Sequence, residues 1–310
     1  MHSARLFAVG ALAIAAACGT KAPPAVEPSV PTPAPVIPIV LEPPVVSSWS
    51  IPAVMPSTRY LSEVSTTLQR DSAGRVLEER VETRGLITLQ GRRDTLGAFR
   101  GSGVVDSFTV RGLERVLSPN LGETSTSRPV PVLSITPLTV PFEASLDARM
   151  LRISTRPPLA NECDKAESGA TNMVRDLVVR LPRTLAVGTT WQDSTVGFVC
   201  RLGVPITTRT KSTYLVASVE RVQDDRVELM VRKTADVVML GELKSTWRTV
   251  TVNATGRSTQ MSRVDALSGV LRSAEGEGLL TVKLTDSSRR DGSGTQEVRQ
   301  QTKVRITGRP

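Results

Sequence analysis

Histidine, the commonest general base of enzymes at neutral pH, occurs once in this 310-residue chain, as His2. His2 lies at the start of an apolar N-terminal stretch, and the chain after that stretch carries no histidine. The sequence therefore excludes Ser–His–Asp and Cys–His catalysis in their usual forms, and also zinc held by histidine. The short Gly-Ser-Gly and Gly-Glu-Gly segments lack the context of a dinucleotide-binding loop, so no cofactor and no metal is predicted.

Carboxylates, lysine, tyrosine and serine are the groups that remain for catalysis. Two carboxylates facing each other across a cleft can hydrolyse a glycoside. Three clustered carboxylates are explained by the start of a helix, where the helix dipole favours acidic side chains. They are Glu162, Asp164 and Glu167. Asp147, Asp176 and Asp193 stand apart, and each is interpreted as a cap or an arginine partner. We therefore predict no catalytic residue and a protein that is not an enzyme.

The N-terminal stretch has the pattern of a secretory signal peptide. Leu6 to Ala17 is almost wholly apolar and follows Arg5. It is shorter than the roughly 20 residues that a membrane-spanning helix needs. Small residues at its end, Ala15-Ala16-Ala17, place a cleavage site just before Cys18. The predicted organisation is a signal peptide over 1–17, an anchor and linker over 18–57 and a β-rich domain over 58–310, with two similar halves as an open alternative.

The junction at Cys18 resembles the lipobox of bacterial lipoproteins, although Ala15 stands where that motif usually has leucine. The resemblance implies that Cys18 is acylated after cleavage. Because Gly19 rather than aspartate follows, it also implies attachment to the outer membrane, facing the periplasm or the cell surface. The alternative is an ordinary secreted protein that is cut at the same bond.

The other two cysteines are Cys163 and Cys200. If Cys18 carries lipid, they form an even set in an oxidising compartment, and a disulfide between them is expected. It would close a loop of about 38 residues and stabilise the fold by roughly 3–4 kcal/mol.

A proline-rich segment follows the predicted anchor. Residues 22–56 carry 11 of the 21 prolines, so this segment can neither continue a helix nor lie inside a sheet. We interpret it as a semi-rigid spacer that reaches about 100 Å when extended. A proline-rich ligand for a partner domain is the alternative.

The net charge of +9 belongs to the region after this spacer, and 32 of the 39 basic residues are arginine. The arginines are scattered at strand-like intervals, and aromatic residues make up only 3% of the chain. Nucleic-acid binding normally needs clustered cations and stacking aromatics, so no nucleic-acid partner is predicted. Basic side chains on solvent-exposed strand faces explain the positive net charge. Attraction to anionic lipid is the second explanation.

Alternating apolar and polar residues predict antiparallel strands through most of the chain. One example is "RVELMVRKTADVVML", Arg226 to Leu240, and turn residues such as Asp224-Asp225 separate these segments. One segment instead repeats its apolar residues at helical spacing and predicts a helix near 162–181 that Pro182 ends. The fold class is therefore mainly β, an antiparallel meander forming a barrel, a half-barrel or a sandwich, with one helix.

The segment "LPRTLAVGTTWQD", Leu181 to Asp193, resembles one found in uncharacterised β-rich envelope lipoproteins. The resemblance implies a barrel-like or half-barrel domain and assigns no activity. Gly188 and Trp191 are explained by a tight turn and by an aromatic ring packed over a core.

Two functions are consistent with these observations. The first is a lipid-anchored, non-enzymatic module of the cell envelope that binds an apolar small molecule or lipid. The second is a structural or adaptor protein that holds other envelope proteins. An interior cavity of several hundred Å³ favours the first, and a filled interior with an exposed apolar surface favours the second.

Overall fold

In the computed structural model, the described residues are 54–72, 75–93, 99–117, 128–134, 138–147, 150–155, 165–179, 181, 185–201, 204–222, 226–266, 269–288 and 292–309. The predicted signal peptide, the anchor at Cys18 and most of the linker lie outside these residues, as does Cys163. Cys200 falls within a described strand, but its side chain lies outside the description, so the predicted disulfide stays a prediction.

The described chain contains one helix and twelve strands, all within one compact unit. Their bounds are β1 Val54–Ser72, β2 Arg75–Arg93, β3 Phe99–Leu117, β4 Arg128–Ser134, β5 Leu138–Asp147, β6 Met150–Thr155, α1 Lys165–Leu177, β7 Thr190–Arg201, β8 Val204–Arg221, β9 Val227–Lys244, β10 Arg248–Asp265, β11 Leu271–Ser288 and β12 Gly292–Arg309.

The strands follow the alternation seen in the sequence. In β8 the even-numbered residues from Val204 to Val216 face the interior, and the residues between them are more exposed. In β9, Leu229 and Val231 are buried as predicted, while Arg232 is exposed. The hydrophobic period of two thus decides which face of each strand packs inward.

The sheet is a curled antiparallel meander. From β7 to β12 each strand pairs with the next, and β12 pairs with β1, which continues through β2 to β3. Strand β3 then pairs with β5 near its start and with β4 near its end, and β6 joins β5 to β7 through the one parallel pairing among the described strands. The predicted fold class is confirmed as a curled half-barrel, and the sandwich alternative is not adopted.

A seam remains along the second half of β7. Among the described residues, β6 pairs with β7 only as far as Val196, and beyond that point β7 pairs with β8 alone. Helix α1 lies against β7 at this seam, where the Asn172 side-chain nitrogen donates to the carbonyl oxygen of Phe198 at 3.4 Å. The helix therefore covers a strand edge that has no β partner in the described part of the chain.

Helix α1 lies on the concave side of the sheet. Its buried side chains include Ala170, Met173, Val174 and Leu177, all of which follow the predicted helical spacing. The helix ends at Leu177, earlier than the predicted end before Pro182, and the Val178 amide donates to the Arg175 carbonyl at 3.3 Å. A tighter final turn of this kind is common at helix ends, where the last carbonyls lose their regular partners.

Two apolar clusters form the core of the described part of the chain. The larger surrounds α1 and includes Tyr60, Ile87 and Leu229, and the smaller joins Ile206 and Val252 toward the other end of the strands. The predicted roles of Gly188 and Trp191 are confirmed. Gly188 adopts a φ of +88° in a turn, and Trp191 packs against the larger cluster.

Several of the charged side chains described on the outer face form ion pairs. Arg84 lies 3.5 Å from Glu63, Arg257 3.0 Å from Asp236 and Arg305 2.9 Å from Glu275. These pairs are exposed and contribute little stability individually. They do agree with the interpretation of the arginines as solvated strand faces.

The close approach of α1 to β3 predicts the effect of one substitution. A Cβ atom at Gly103 would collide with the Val174 side chain, and no heavy atom lies within 4 Å of a Cβ built at Gly294 in β12. We expect Gly103→Ala to lower the free energy of unfolding by about 1–3 kcal/mol through overpacking. Gly294→Ala is the control and should change it by no more than about 0.5 kcal/mol. Urea denaturation measures both, and equal effects would contradict this packing.

Candidate functional site

A pocket of about 370 Å³ lies between α1 and the concave face formed by β1 and β7–β12. We call it the interior pocket. Its volume falls in the range of about 300–1,000 Å³ typical of small-molecule sites. Hydroxyl side chains of its lining include Thr66, Thr195, Thr208, Thr210, Ser258 and Ser262.

The strand register places polar side chains of β7 and β8 opposite one another. Asp193 pairs with Ser212, Thr195 with Thr210 and Gly197 with Thr208. All six residues belong to the inward-facing set of their strands. Because opposite residues of an antiparallel pair have Cβ atoms about 4.5–5.5 Å apart, the first two pairs form two polar rows across one wall. In the third row Thr208 supplies the polar side chain alone, since Gly197 has none.

The row nearest the larger apolar cluster is held by a short hydrogen bond. The Tyr214 hydroxyl donates to Asp193 Oδ2 at 2.6 Å, and both residues are buried. Trp191 stacks on the Tyr214 ring with 5.0 Å between ring centroids and an interplanar angle of 3°. This packing fixes the direction of the hydroxyl and hence the position of the carboxylate.

Burial shifts the titration of both groups. Desolvation raises the pKa of Asp193 above its ordinary value near 3.8, and the hydrogen bond from Tyr214 and the charge of Lys233 lower it in part. Desolvation and the adjacent carboxylate raise the pKa of Tyr214 well above 10. Tyr214 therefore remains a neutral hydrogen-bond donor at physiological pH and is unsuited to act as a base.

Lys233 is the lysine of the interior-pocket lining. It follows Leu229 and Val231 in the inward-facing positions of β9, and its Nζ lies 5.8 Å from the centroid of the Tyr214 ring. This is within the range of a cation–π contact. The position puts its positive charge beside the buried Asp193 carboxylate.

Arg175 brings a second cation to the pocket from α1. Its side chain is 12% exposed, its Nε lies 3.7 Å from Asp176 Oδ1, and the guanidinium lies directly against Gly197, where any Cβ would collide with Nη1. Nη1 is buried and has no hydrogen-bond partner among the described residues. A glycine at position 197 is thus what allows the guanidinium to lie against β7.

Aliphatic side chains complete the lining. They come from β1, β9, β12 and the two residues that follow α1, and they include Val178, Val179, Val64, Val237, Met239 and Val304. The interior pocket therefore offers both hydrogen-bonding groups and apolar surface.

Sequence reasoning found these residues only in part. Asp176 lies beside Arg175 as predicted, but Asp193 is neither a cap nor an arginine partner, since it faces the interior and accepts from Tyr214. Arg175, Tyr214 and Lys233 were not predicted. A signal existed for Lys233, because the alternation of β9 assigns it to the same face as Leu229 and Val231.

The other predicted positions remain untested. Cys18, Cys163, Glu162 and Asp164 lie outside the described residues, as do the side chains of three residues in described elements, namely Cys200, Asp147 and Glu167. In the described part of the chain, no three His, Cys, Asp or Glu side chains are grouped so that they could hold a metal ion.

No protein-family model matches the chain, and a comparison with curated proteins gives no significant match.

Asp193 should make stability depend on pH. Between its ordinary pKa near 3.8 and the raised value, the folded protein holds a proton that the unfolded chain has released. The contribution of Asp193 to stability is therefore greatest below this window and falls as pH rises through it. Asp193→Asn keeps an oxygen acceptor for Tyr214 and cannot ionise. We expect the free energy of unfolding of the variant, relative to the native protein, to increase from pH 4 to pH 7.

Denaturant titrations at several pH values measure this difference. Asp236→Asn, which changes an exposed carboxylate on the outer face of β9, is the chemical control. A difference between Asp193→Asn and the native protein that stays constant or shrinks with rising pH would contradict the raised pKa.

Proposed function

We propose that this protein is a non-enzymatic binding module whose interior pocket holds one amphiphilic small molecule. The observation that carries the proposal is the pocket itself, which lies between α1 and the concave face of the sheet. Its volume suits a ligand with a single chain.

The lining supports an amphiphile over a purely apolar ligand. Val64, Val237 and Met239 offer apolar contact, and burying a ligand's hydrocarbon against them is favourable by about 25 cal/mol per Å². The polar rows of β7 and β8 need hydrogen-bonding partners, which a hydrocarbon lacks. A molecule with a polar head and an apolar chain satisfies both requirements.

The proposed location rests on the leader. Acylation of Cys18 would attach the protein to the outer membrane, and the proline-rich segment would hold the half-barrel away from the bilayer. In the described part of the chain, no helix is both long enough and apolar enough to cross a membrane. A lipid-anchored module with an amphiphile pocket would be suited to holding lipid-like molecules within the envelope.

An adaptor role is the second candidate, and exposed apolar side chains on the outer face favour it. Val238 and Leu240 of β9 are 39% and 50% exposed, and Leu279 of β11 is 65% exposed. An envelope protein could bury these side chains. If this role holds, Leu240→Ser should abolish capture of a specific envelope protein in cross-linking experiments, and the interior pocket should remain empty.

Filling the interior pocket should abolish ligand binding. Thr210 of β8 faces the pocket, and Thr213 of the same strand is exposed on the outer face. We expect Thr210→Phe to occupy the volume that the chain of a ligand would need. Thr213→Phe makes the same chemical change outside the pocket and serves as the matched control.

Native mass spectrometry of the protein purified from its own envelope measures this effect. The native protein and Thr213→Phe should carry one small amphiphile that is released on unfolding, and Thr210→Phe should carry none. Equal retention by the two variants, or no bound molecule in any of them, would contradict the proposed function.

The anchor has a separate test. The mature protein should begin at Cys18 and carry the added mass of a diacylglyceryl group, because the leader resembles that of a lipoprotein. Cys18→Ser should move the protein from the membrane fraction to the soluble fraction. Intact-mass measurement of an unmodified thiol at Cys18 would refute the proposed location without bearing on the interior pocket.

A further inference from the structure

We infer that the interior pocket contains a carboxylate-binding subsite formed by Arg175 and Thr208, and that the ligand is a single-chain amphiphile with a carboxylate head. The inference rests on the proposed function and specifies the chemical class of its ligand.

The register of the sheet brings the two side chains together. Thr208 of β8 lies directly opposite Gly197 of β7, and the Arg175 guanidinium lies against Gly197 in the space that a Cβ would fill. Arg175 and Thr208 both line the interior pocket. They therefore meet at the same row of its wall although they come from different elements.

One polar atom of each side chain lacks a hydrogen-bond partner among the described residues. Arg175 Nη1 and Thr208 Oγ1 are buried and make no hydrogen bond to the described residues, and Thr208 is only 5% exposed. A buried polar atom without a partner is unfavourable, so an occupant that satisfies it is bound more tightly. Since an N–H and an O–H both donate, the matching ligand group is an acceptor.

A carboxylate fits these two donors. It offers two oxygens, and guanidinium groups bind carboxylates through charge-assisted hydrogen bonds that are stronger than neutral ones. A hydroxyl head would gain less from the positive charge of Arg175, and a cationic head would be repelled by it. Asp176 leaves room for this partner because its carboxylate approaches Nε at 3.7 Å, whereas Nη1 faces Gly197.

The buried acid of the pocket does not oppose an anion at this row. Asp193 precedes Gly197 on the same strand by a distance of about 13 Å, at about 3.3 Å per residue. Its charge is also offset locally, since Tyr214 donates to it and the charge of Lys233 favours its ionised form. Asp193 and the proposed anion thus lie at separate rows of the wall.

Apolar surface continues from the subsite. Val199, the next inward-facing residue of β7, lines the interior pocket together with Met239 and Leu280. A carboxylate held at Arg175 would therefore have an aliphatic wall beside it for its chain.

Isothermal titration calorimetry of the delipidated full-length protein tests the subsite with three probes of equal chain length. These are laurate, the neutral monolauroylglycerol and dodecyl phosphate. Arg175→Met removes the positive charge but keeps a long, unbranched side chain. Thr208→Val removes the hydroxyl but keeps the branched shape of the side chain. Arg209→Met and Thr207→Val repeat these changes at neighbouring outward-facing positions of β8 and serve as matched controls.

We expect laurate to bind the native protein at least about tenfold more tightly than monolauroylglycerol does. Arg175→Met should weaken laurate binding by about tenfold or more and Thr208→Val by about fivefold, with monolauroylglycerol changed by less than about threefold. Neither control variant should change the affinity for laurate or for monolauroylglycerol. Thr208→Val removes a hydroxyl that has no hydrogen-bond partner among the described residues, so this variant should fold normally. It keeps the test valid if Arg175→Met does not fold.

The contrary results separate the two proposals. If monolauroylglycerol binds as tightly as laurate, or if both pocket variants keep full laurate affinity, the carboxylate subsite is wrong and the proposed function stands. Tighter binding of dodecyl phosphate than of laurate would overturn the carboxylate assignment in favour of a phosphate. If none of the three probes binds, the proposed function itself fails.

Discussion

The close contact between helix α1 and glycines of the sheet is the constraint on which the interior depends. Met173 lies against Gly85, Val174 against Gly103 and Arg175 against Gly197. A Cβ at Gly103 would collide with the short, branched Val174 side chain and push the helix away from β3, whereas a Cβ at Gly85 or Gly197 would displace the flexible ends of Met173 and Arg175. Because a helix and a sheet normally keep their backbones apart by the thickness of their side chains, glycine is what allows α1 to sit this deep in the curled sheet.

The depth of the helix shapes the interior pocket. The side chains of Met173 and Val174 pack into the larger apolar cluster, whereas Asn172, Arg175 and Asp176 border the pocket. One helix thus completes the core on one side and supplies charged and amide groups on the other. The hydrogen bond from Asn172 to Phe198 holds it at the seam, where the strand edge would otherwise have no partner among the described residues.

The strand alternation separates two kinds of polar group. Arginines such as Arg257 and Arg305 face outward and meet carboxylates across the strands, whereas the inward polar positions of β7 and β8 carry mainly hydroxyls. A guanidinium is hydrated at low cost on the outer face, but a charge in the interior needs a specific partner. The few interior charges are consequently the positions at which this fold departs from a simple apolar core.

The sequence pattern predicts the strands, the turns and the helix because each depends on residues that are close in the chain. Leu229 and Val231 reveal a strand face by their period, and Ala170 and Val174 reveal a helix face in the same way. The interior pocket is different, since Arg175 and Thr208 meet only through the pairing of Thr208 with Gly197 and the contact of the helix with that glycine. The hydrophobic periodicity of a single strand or helix cannot predict such a contact between distant parts of the chain. The alternation gives the side on which Lys233 lies, but it does not give its neighbours.

The pairing of β12 with β1 also has a consequence for how the protein is made. Val64 of β1 lies opposite Val304 of β12, and Thr66 lies opposite Thr302, so the first strand finds this partner in the last. This edge of β1 therefore stays unpaired until β12, about 240 residues further along the chain, has been synthesised. Contacts between residues so distant in sequence form slowly during folding. Until they form, the unpaired strand edge can pair with other chains and lead to aggregation.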